Sequence, residues 1–176
     1  YPDRDLAIAK SIDETTELPV YPLADEGGRI GWSFEVLANH RAQRHTEMEF
    51  AVPIDRSLEC LDEVRSMIAG RFPDLSWPVE YRTLAGDDVW LSQAFDGDAA
   101  TISIHQAADV SDVALFGACE TIFRRYAGRP HWGKVHFFDG DDLAAVHPGW
   151  TAWWEVRDAI DPTGVFLNDT LRAWRP

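Results

Sequence analysis

The sequence predicts an α+β fold in which an antiparallel β-sheet carries its helices on one face. Several segments alternate polar and apolar residues, which is typical of half-buried strands. Two others repeat apolar residues at intervals of three and four, which is typical of amphipathic helices. In chain order they give strand, helix, strand, strand, helix and a final strand. This order predicts a split β-α-β arrangement whose other sheet face is free to meet a ligand or partner.

The composition indicates one globular domain. With 176 residues, a hydrophobic share of 45% and eight Trp, the chain can bury a substantial core. A net charge of −14 argues against a nucleic-acid partner, because proteins that bind phosphate backbones use clustered Lys and Arg. No stretch reaches the roughly 20 apolar residues of a membrane span, so no membrane partner is expected.

The two cysteines and the first residues give further expectations. Cys60 and Cys119 fall at apolar helix positions, so we expect buried thiols, which suit a reducing cytoplasmic location. Residues 1–31 mix short apolar runs with Pro and Gly and show no sustained period. They predict an irregular N-terminal arm or interdomain connection before a domain at residues 32–176. The start at Tyr1 suggests a piece of a longer protein.

The first predicted strand of this domain is residues 46–53, which alternate acidic and apolar side chains and end at a proline. Glu47 and Glu49 lie on the face opposite Met48 and Phe50. On a strand this favours a solvated face over a paired acid and base.

A helix should follow from Asp55, as N-cap, to about Ala69, ended by Gly70. Its apolar positions are Leu58, Leu61, Val64 and Ile68.

Two more strands are predicted next. Residues 78–84 place Glu80 and Arg82 together on one face. Residues 101–105 are rich in β-branched residues, and there His105 and two hydroxyl residues lie opposite two isoleucines that face the core.

Helices occupy most of the remaining chain. One is capped by Asp109 or Ser111 and runs through Tyr126, before Gly128 stops it. Its apolar positions are Leu115, Cys119, Ile122 and Tyr126. A short helix at residues 141–146 and an aromatic one at residues 150–160 follow, and we assign the tryptophans of the latter to the core.

Four polar groups should meet on the free face of the sheet. They are Glu80, Arg82, His105 and Lys134. Such a set suits a polyol: the carboxylate accepts from hydroxyls, the guanidinium donates, the imidazole takes a hydroxyl proton and the ammonium stabilises the resulting alkoxide. From spacing alone, the alternative is an exposed lattice of ion pairs with little energetic weight.

Three motifs resemble those of FAD-linked aldonolactone and alditol oxidases in the vanillyl-alcohol-oxidase superfamily. They are R-P-H-W-G-K-x-H at residues 129–136, E-M-E-F-A-V-P at residues 47–53 and D-P-x-G-x-F-x-N at residues 161–168. The resemblance covers roughly residues 32–168. It implies the cap fold that forms the substrate domain of these enzymes.

The resemblance also implies site roles. Glu80 and Arg82 correspond to substrate-binding residues, and His105 and Lys134 to the groups that remove the hydroxyl proton while hydride passes to FAD. His105 is followed by Gln106-Ala107, where the alditol oxidases have a hydroxyl residue two positions after the His. This departure implies a different substrate.

The implied cofactor is FAD, bound mainly by a domain that we do not find in the 176 residues, because Gly27-Gly28 is too short for a pyrophosphate loop. His131 and Trp132 are expected near the flavin. The expected partners are a FAD-binding domain or subunit and a small polyol or sugar lactone. The chain alone should be inactive.

Two alternatives remain open. The chain could be a non-catalytic polyol- or protein-binding module that retains the cap fold. A metal site at His131, His136, His147 and the acidic residues 139–142 fits no standard ligand spacing, so no metal is predicted.

Overall fold

The computed structural model describes residues 21–23, 28–30 and 44–176. The chain divides into two units, residues 1–43 and residues 44–176. In the first unit, β1 (Tyr21–Leu23) pairs antiparallel with β2 (Gly28–Ile30). This pairing falls within the predicted irregular arm, where the sequence shows no period that would indicate it. The predicted boundary between residues 31 and 32 lies outside the described residues.

The second unit is built on a four-stranded antiparallel sheet, which confirms the predicted α+β class. Its strands are β3 (His45–Pro53), β4 (Glu80–Leu84), β5 (Ala99–Ala107) and β6 (Arg129–Pro130). They are ordered β4-β5-β3-β6. The long strands β3 and β5 therefore form the centre of the sheet.

Helices cover one face of this sheet. The unit contains α1 (Ser57–Arg71), α2 (Val113–Arg125), α3 (Gly140–Val146), α4 (Trp150–Ile160) and α5 (Asp169–Trp174). The first two contact each other and the central strands. The alternate residues of β3 and β5 that point towards them are fully buried: Met48, Phe50, Val52, Ile102 and Ile104.

The first helix starts later than predicted, and a different side of it faces the core. A 3₁₀ turn at Ile54–Arg56 precedes it, so Asp55 does not cap α1, and Gly70 lies inside the helix. Cys60 and Val64 are buried, whereas Leu58 is 65% exposed. The apolar period alone therefore did not show which side of the helix meets the sheet.

The second helix begins at Val113 after Asp112, not at the predicted Asp109 or Ser111, but its four predicted apolar positions are all buried. After α2, Ala127 adopts a positive φ of 51°, and the Gly128 N–H donates to the Phe123 carbonyl at 2.9 Å. A Cβ at Gly128 would lie 2.9 Å from that oxygen. Glycine therefore lets the chain turn tightly from α2 into the motif at residues 129–136.

The motif is a strand for only two residues, shorter than predicted. The His131 N–H donates to the Glu49 carbonyl, and the Val135 N–H donates to the Glu47 carbonyl, both at 2.9 Å. Between these bonds the chain turns, closed by a bond from the Lys134 N–H to the His131 carbonyl. This turn places the Lys134 side chain beside β3.

Both cysteines are free thiols buried in the core, as predicted. Burial is the main cause that raises the pKa of each to about 12. Among the residues that the structure describes, no helix is both long enough and apolar enough to cross a membrane.

Candidate active site

The sheet face opposite the helices carries a continuous network of charged and polar side chains, which we call the open face. It comprises Glu47 and Glu49 of β3, Glu80 and Arg82 of β4, Ser103 and His105 of β5, and Lys134 of the motif turn. The antiparallel register sets Glu47 opposite His105 and Glu49 opposite Ser103. The four predicted site residues are therefore brought together on one surface.

Glu49 is the centre of this network. Its carboxylate is only 4% exposed and accepts from Lys134 Nζ at 2.7 Å, from Ser103 Oγ at 2.6 Å and from the Arg82 guanidinium. Burial on its own would raise the pKa of Glu49. The hydrogen bonds from Lys134 and Ser103 and the charges of Lys134 and Arg82 outweigh burial and hold the pKa below its ordinary value. Glu49 is thus a buried anion fixed by two cations.

Lys134 is shared between two carboxylates. Its Nζ lies 2.6 Å from Glu47 Oε1 and 2.7 Å from Glu49 Oε2, and the side chain is 18% exposed. These contacts use two of the three ammonium donors. Within the described part of the chain the third donor has no partner, and it can serve an oxygen that approaches the open face.

His105 is 2% exposed and is oriented through both ring nitrogens. Nδ1 lies 3.1 Å from the Pro78 carbonyl, which can only accept, so Nδ1 donates. Nε2 then carries the lone pair of the neutral ring. It lies 3.4 Å from Glu47 Oε1 and 3.9 Å from Glu80 Oε1. Two carboxylate oxygens therefore face the ring nitrogen that does not contact Pro78.

Two residues of the face are the most accessible to a ligand. Arg82 and Glu80 have side chains that are 52% and 37% exposed, with 3.9 Å between their charged groups. Beside Lys134 lies an open depression of about 560 Å³, bordered by His45, Glu47, His131 and other residues of β3 and the motif. Lys134 and Glu47 therefore lie next to space for a small molecule.

The interpretation of Glu47 and Glu49 as a solvated face is wrong. Glu49 is buried, and both carboxylates bind Lys134. Alternation assigned them to the correct face but could not show that a cation 87 and 85 residues further along the chain covers them. The signal available in the sequence was a pair of acidic residues at i and i+2 together with the lysine of the motif at residues 129–136.

The two aromatic residues expected near the flavin occupy different places. His131 borders the depression, and its Nδ1 accepts from the Gly133 N–H at 3.0 Å. Trp132 turns away from the open face, because its Nε1 donates to the Leu91 carbonyl and its ring stacks on His147. It also stacks on Trp150, which is buried as predicted, as is Trp154.

The three histidines of the alternative metal site lie in separate environments. His131 borders the depression, His136 stacks on Trp174 and His147 is fully buried against Trp132. Within residues 44–176 they do not form a three-ligand group with one another or with the acidic residues 139–142.

Comparison with known proteins places this site in an oxidoreductase family. The family model described as D-arabinono-1,4-lactone oxidase matches residues 9–174. The chain belongs to the D-arabinono-1,4-lactone oxidase family, which confirms the resemblance of its motifs.

Individual relatives agree with this assignment. The chain is 40% identical over 140 residues to L-gulono-1,4-lactone dehydrogenase of Mycobacterium tuberculosis, a match that covers 80% of the chain and 33% of the relative. It is 32% identical to L-gulonolactone oxidase of Mus musculus over 74% of the chain and 31% of the relative. It is 29% identical to alditol oxidase of a Streptomyces species over 72% of the chain and 30% of the relative. The chain thus spans about a third of the length of these proteins.

Proposed function

We propose that the chain is the substrate-binding part of a FAD-dependent oxidoreductase that oxidises a hydroxyl group of a sugar lactone or alditol. The observation that carries this proposal is the convergence of Lys134 Nζ and His105 Nε2 on Glu47 Oε1, at 2.6 and 3.4 Å. This arrangement puts a proton acceptor, His105, and a cation, Lys134, on the same side of the sheet. Membership in a family whose relatives are named for lactone and alditol oxidation supports the substrate class.

Glu80 and Arg82 are suited to orient the substrate. Both side chains are partly exposed, so a ligand can reach them without disturbing the core. The carboxylate accepts from two hydroxyls, and the planar guanidinium donates to ring or carbonyl oxygens. Because both residues lie on β4, their spacing is set by the strand rather than by a mobile loop.

His105 and Lys134 are suited to move the hydroxyl proton. The Nε2 lone pair of His105 takes the proton, and the carboxylates of Glu47 and Glu80 stabilise the imidazolium that forms. The third ammonium donor of Lys134 stabilises the alkoxide oxygen as negative charge develops on it. Pro78 and Glu49 keep these two groups in place.

When bound, FAD would supply the acceptor for the hydride of the carbinol carbon. The open face fits the substrate side of such a site, because its donors and acceptors suit hydroxyl groups. We propose that the cofactor is held mainly by a FAD-binding domain or subunit that meets this face, with His131 at the rim of the contact.

The test is a chimera in which this chain replaces the matching third of the Mycobacterium tuberculosis relative. Flavin absorbance is followed without oxygen after mixing with L-gulono-1,4-lactone or an alditol. We expect bleaching by at least one of these substrates. Lys134→Met should slow it by about 100-fold or more, since one charge-stabilising donor is lost.

The matched control is Arg175→Met, which removes an exposed cation paired with Asp158 and should leave the rate unchanged. A Lys134→Met chimera that bleaches at the wild-type rate would refute the role of the ammonium. Polyol binding without any bleaching, in a chimera that holds flavin, would instead favour a non-catalytic binding module.

A further inference from the structure

We propose that His45, Glu47 and His105 form a binding site for a divalent transition-metal ion of the Zn²⁺ class. One potential ligand atom of each residue lies within 4.8 Å of the other two. His45 and Glu47 are two apart on β3 and point to the same face, and His105 is the residue of β5 opposite Glu47. Two neighbouring strands therefore supply the ligands, which gives the group a rigid backbone frame.

The distance between His105 and Glu47 is close to the distance between two ligand atoms of a metal site. Nδ1 donates to the Pro78 carbonyl, so in the neutral ring two electron-pair donors, Nε2 and Glu47 Oε1, face each other at 3.4 Å. Tetrahedral Zn²⁺ with bonds of 2.0 to 2.1 Å holds its ligand atoms about 3.3 Å apart. A cation between these atoms could form a coordinate bond to each of them.

The Pro78 carbonyl plays the part of an outer-shell partner. Metal-binding histidines usually donate their second ring nitrogen to a carbonyl or carboxylate, which fixes the tautomer and the ring plane. The His105 ring is also held by packing, 6.1 Å from Trp77 and 5.4 Å from the ring of His45. His105 is thus oriented before any ion arrives.

The local charge favours a dication. Glu47, Glu49 and Glu80 contribute three negative charges, against the positive charges of Lys134 and Arg82. Metal binding at Glu47 would compete with the ammonium of Lys134. Lys134 keeps its bond to Glu49 at 2.7 Å, so it need not leave the network.

The ligand set selects the kind of ion. Two imidazoles and one carboxylate, with a fourth position for water, suit Zn²⁺ or Co²⁺. Ca²⁺ requires six or more oxygen ligands and Mg²⁺ an octahedral oxygen shell, so neither should bind here. If the proposed function holds, a bound ion would occupy Nε2 of the proton acceptor and reversibly inhibit oxidation.

The test measures binding directly on the purified 176-residue chain, without flavin or substrate. Zn²⁺ is titrated in competition with a chromophoric chelator, and Co²⁺ is followed by its visible absorption. We expect one ion per chain with a tetrahedral Co²⁺ spectrum, and no competition from Mg²⁺. His45→Asn and His45→Gln should each weaken Zn²⁺ binding by about 100-fold or more, because a direct ligand is lost.

The matched control is His131→Asn, which removes another histidine of the same depression and should bind Zn²⁺ as wild type does. Circular dichroism verifies that each variant is folded. No stoichiometric binding by the wild-type chain, or equal affinity in folded His45 variants, would overturn the proposal. So would loss in His131→Asn with retention in the His45 variants. None of these results bears on flavin reduction, so the proposed oxidation is tested separately.

Discussion

The two faces of β3 are both shielded from solvent, but different chemistry shields them. On one face Met48 and Phe50 are fully buried against helices α1 and α2. On the other, Glu49 is 4% exposed beneath Lys134 and Arg82. A ligand hydroxyl can replace a hydrogen bond on the second face, whereas nothing in solution can replace a packed helix on the first. The Glu49 carboxylate is therefore buried and still able to exchange hydrogen-bond partners.

The two faces also differ in what they contribute to stability and to function. Apolar burial contributes steadily to folding, while the net contribution of a buried ion pair is small because desolvation offsets the attraction between the charges. We therefore expect substitutions on the helix-covered face to alter mainly the free energy of unfolding. Substitutions on the open face should alter mainly ligand binding and catalysis.

The largest stability effect is expected for Phe50→Ala. The Phe50 ring is fully buried and stacks on Phe123 at a centroid distance of 4.8 Å. Its removal should lower the free energy of unfolding by about 3 to 5 kcal/mol. Urea denaturation measures this change. Phe137→Ala is the control, because that side chain is 45% exposed, and it should cost much less.

Two buried histidines differ in the same way as the two faces of β3, and the difference predicts how stability depends on pH. His105 has polar partners at both nitrogens, whereas neither nitrogen of His147 has a hydrogen-bond partner in the described part of the chain. Burial, and secondarily the charge of Arg129, lowers the pKa of His147 from 6.5 to about 4. The unfolded state then binds more protons between these values, so stability present above pH 6.5 is lost as the pH falls towards 4.

The expected loss from His147 is about 3 kcal/mol. The free energy of unfolding, measured by urea denaturation between pH 7 and 4, should fall less steeply in His147→Phe than in wild type. Lowered pKa values of His136 and of Glu49 also contribute to the wild-type slope, the carboxylate only in the more acidic part of the range. Identical slopes in both proteins would contradict the burial argument.

Glu49→Gln should cost less stability than Phe50→Ala. The amide keeps the shape but removes the charge that Lys134 and Arg82 share. Because both cations can regain some water, we expect a loss of about 1 to 3 kcal/mol. Glu155→Gln, at an exposed position, is the control and should be neutral. A loss as large as that of Phe50→Ala would mean that the open face is as important for folding as the core.

The smallest effect on stability is expected for Arg82→Lys. The side chain is 52% exposed, and exposed pairs contribute roughly 0 to 1 kcal/mol. An ammonium cannot present the planar fork that contacts both Glu49 and Glu80, so lactone binding should weaken although folding is preserved. Denaturation and the substrate dependence of flavin reduction in the chimera measure the two effects. Unchanged substrate dependence would remove Arg82 from the proposed site.

Local patterns predicted those parts of the fold that local chemistry determines. Helix α4 begins at Trp150 and ends at Ile160 as predicted, since Pro148-Gly149 precedes it and Pro162 follows it in the sequence. The alternation of β4 and β5 placed Glu80 and His105 on the correct face. The late start of α1 at Ser57 depends on the preceding 3₁₀ turn, which no periodicity signals.

The centre of the site was less accessible from sequence because its contacts are distant along the chain. The Lys134 ammonium meets carboxylates 87 and 85 residues away, through a turn that pairs with β3 on either side. Alternation identifies the outward residues of a strand but not what covers them. Glu49 therefore resembled a surface residue until the sheet was assembled.

The most direct test of the central claim is the rate of flavin reduction in the Glu49→Gln chimera, compared with Glu155→Gln. We propose that Glu49 holds Lys134 and Arg82 in position for the substrate and takes no direct part in the oxidation. Loss of this positioning should slow reduction by about 100-fold in a protein that remains folded, with Glu49→Asp partly restoring the rate. Equal rates in Glu49→Gln and Glu155→Gln would contradict the claim that the open face is a preassembled active site.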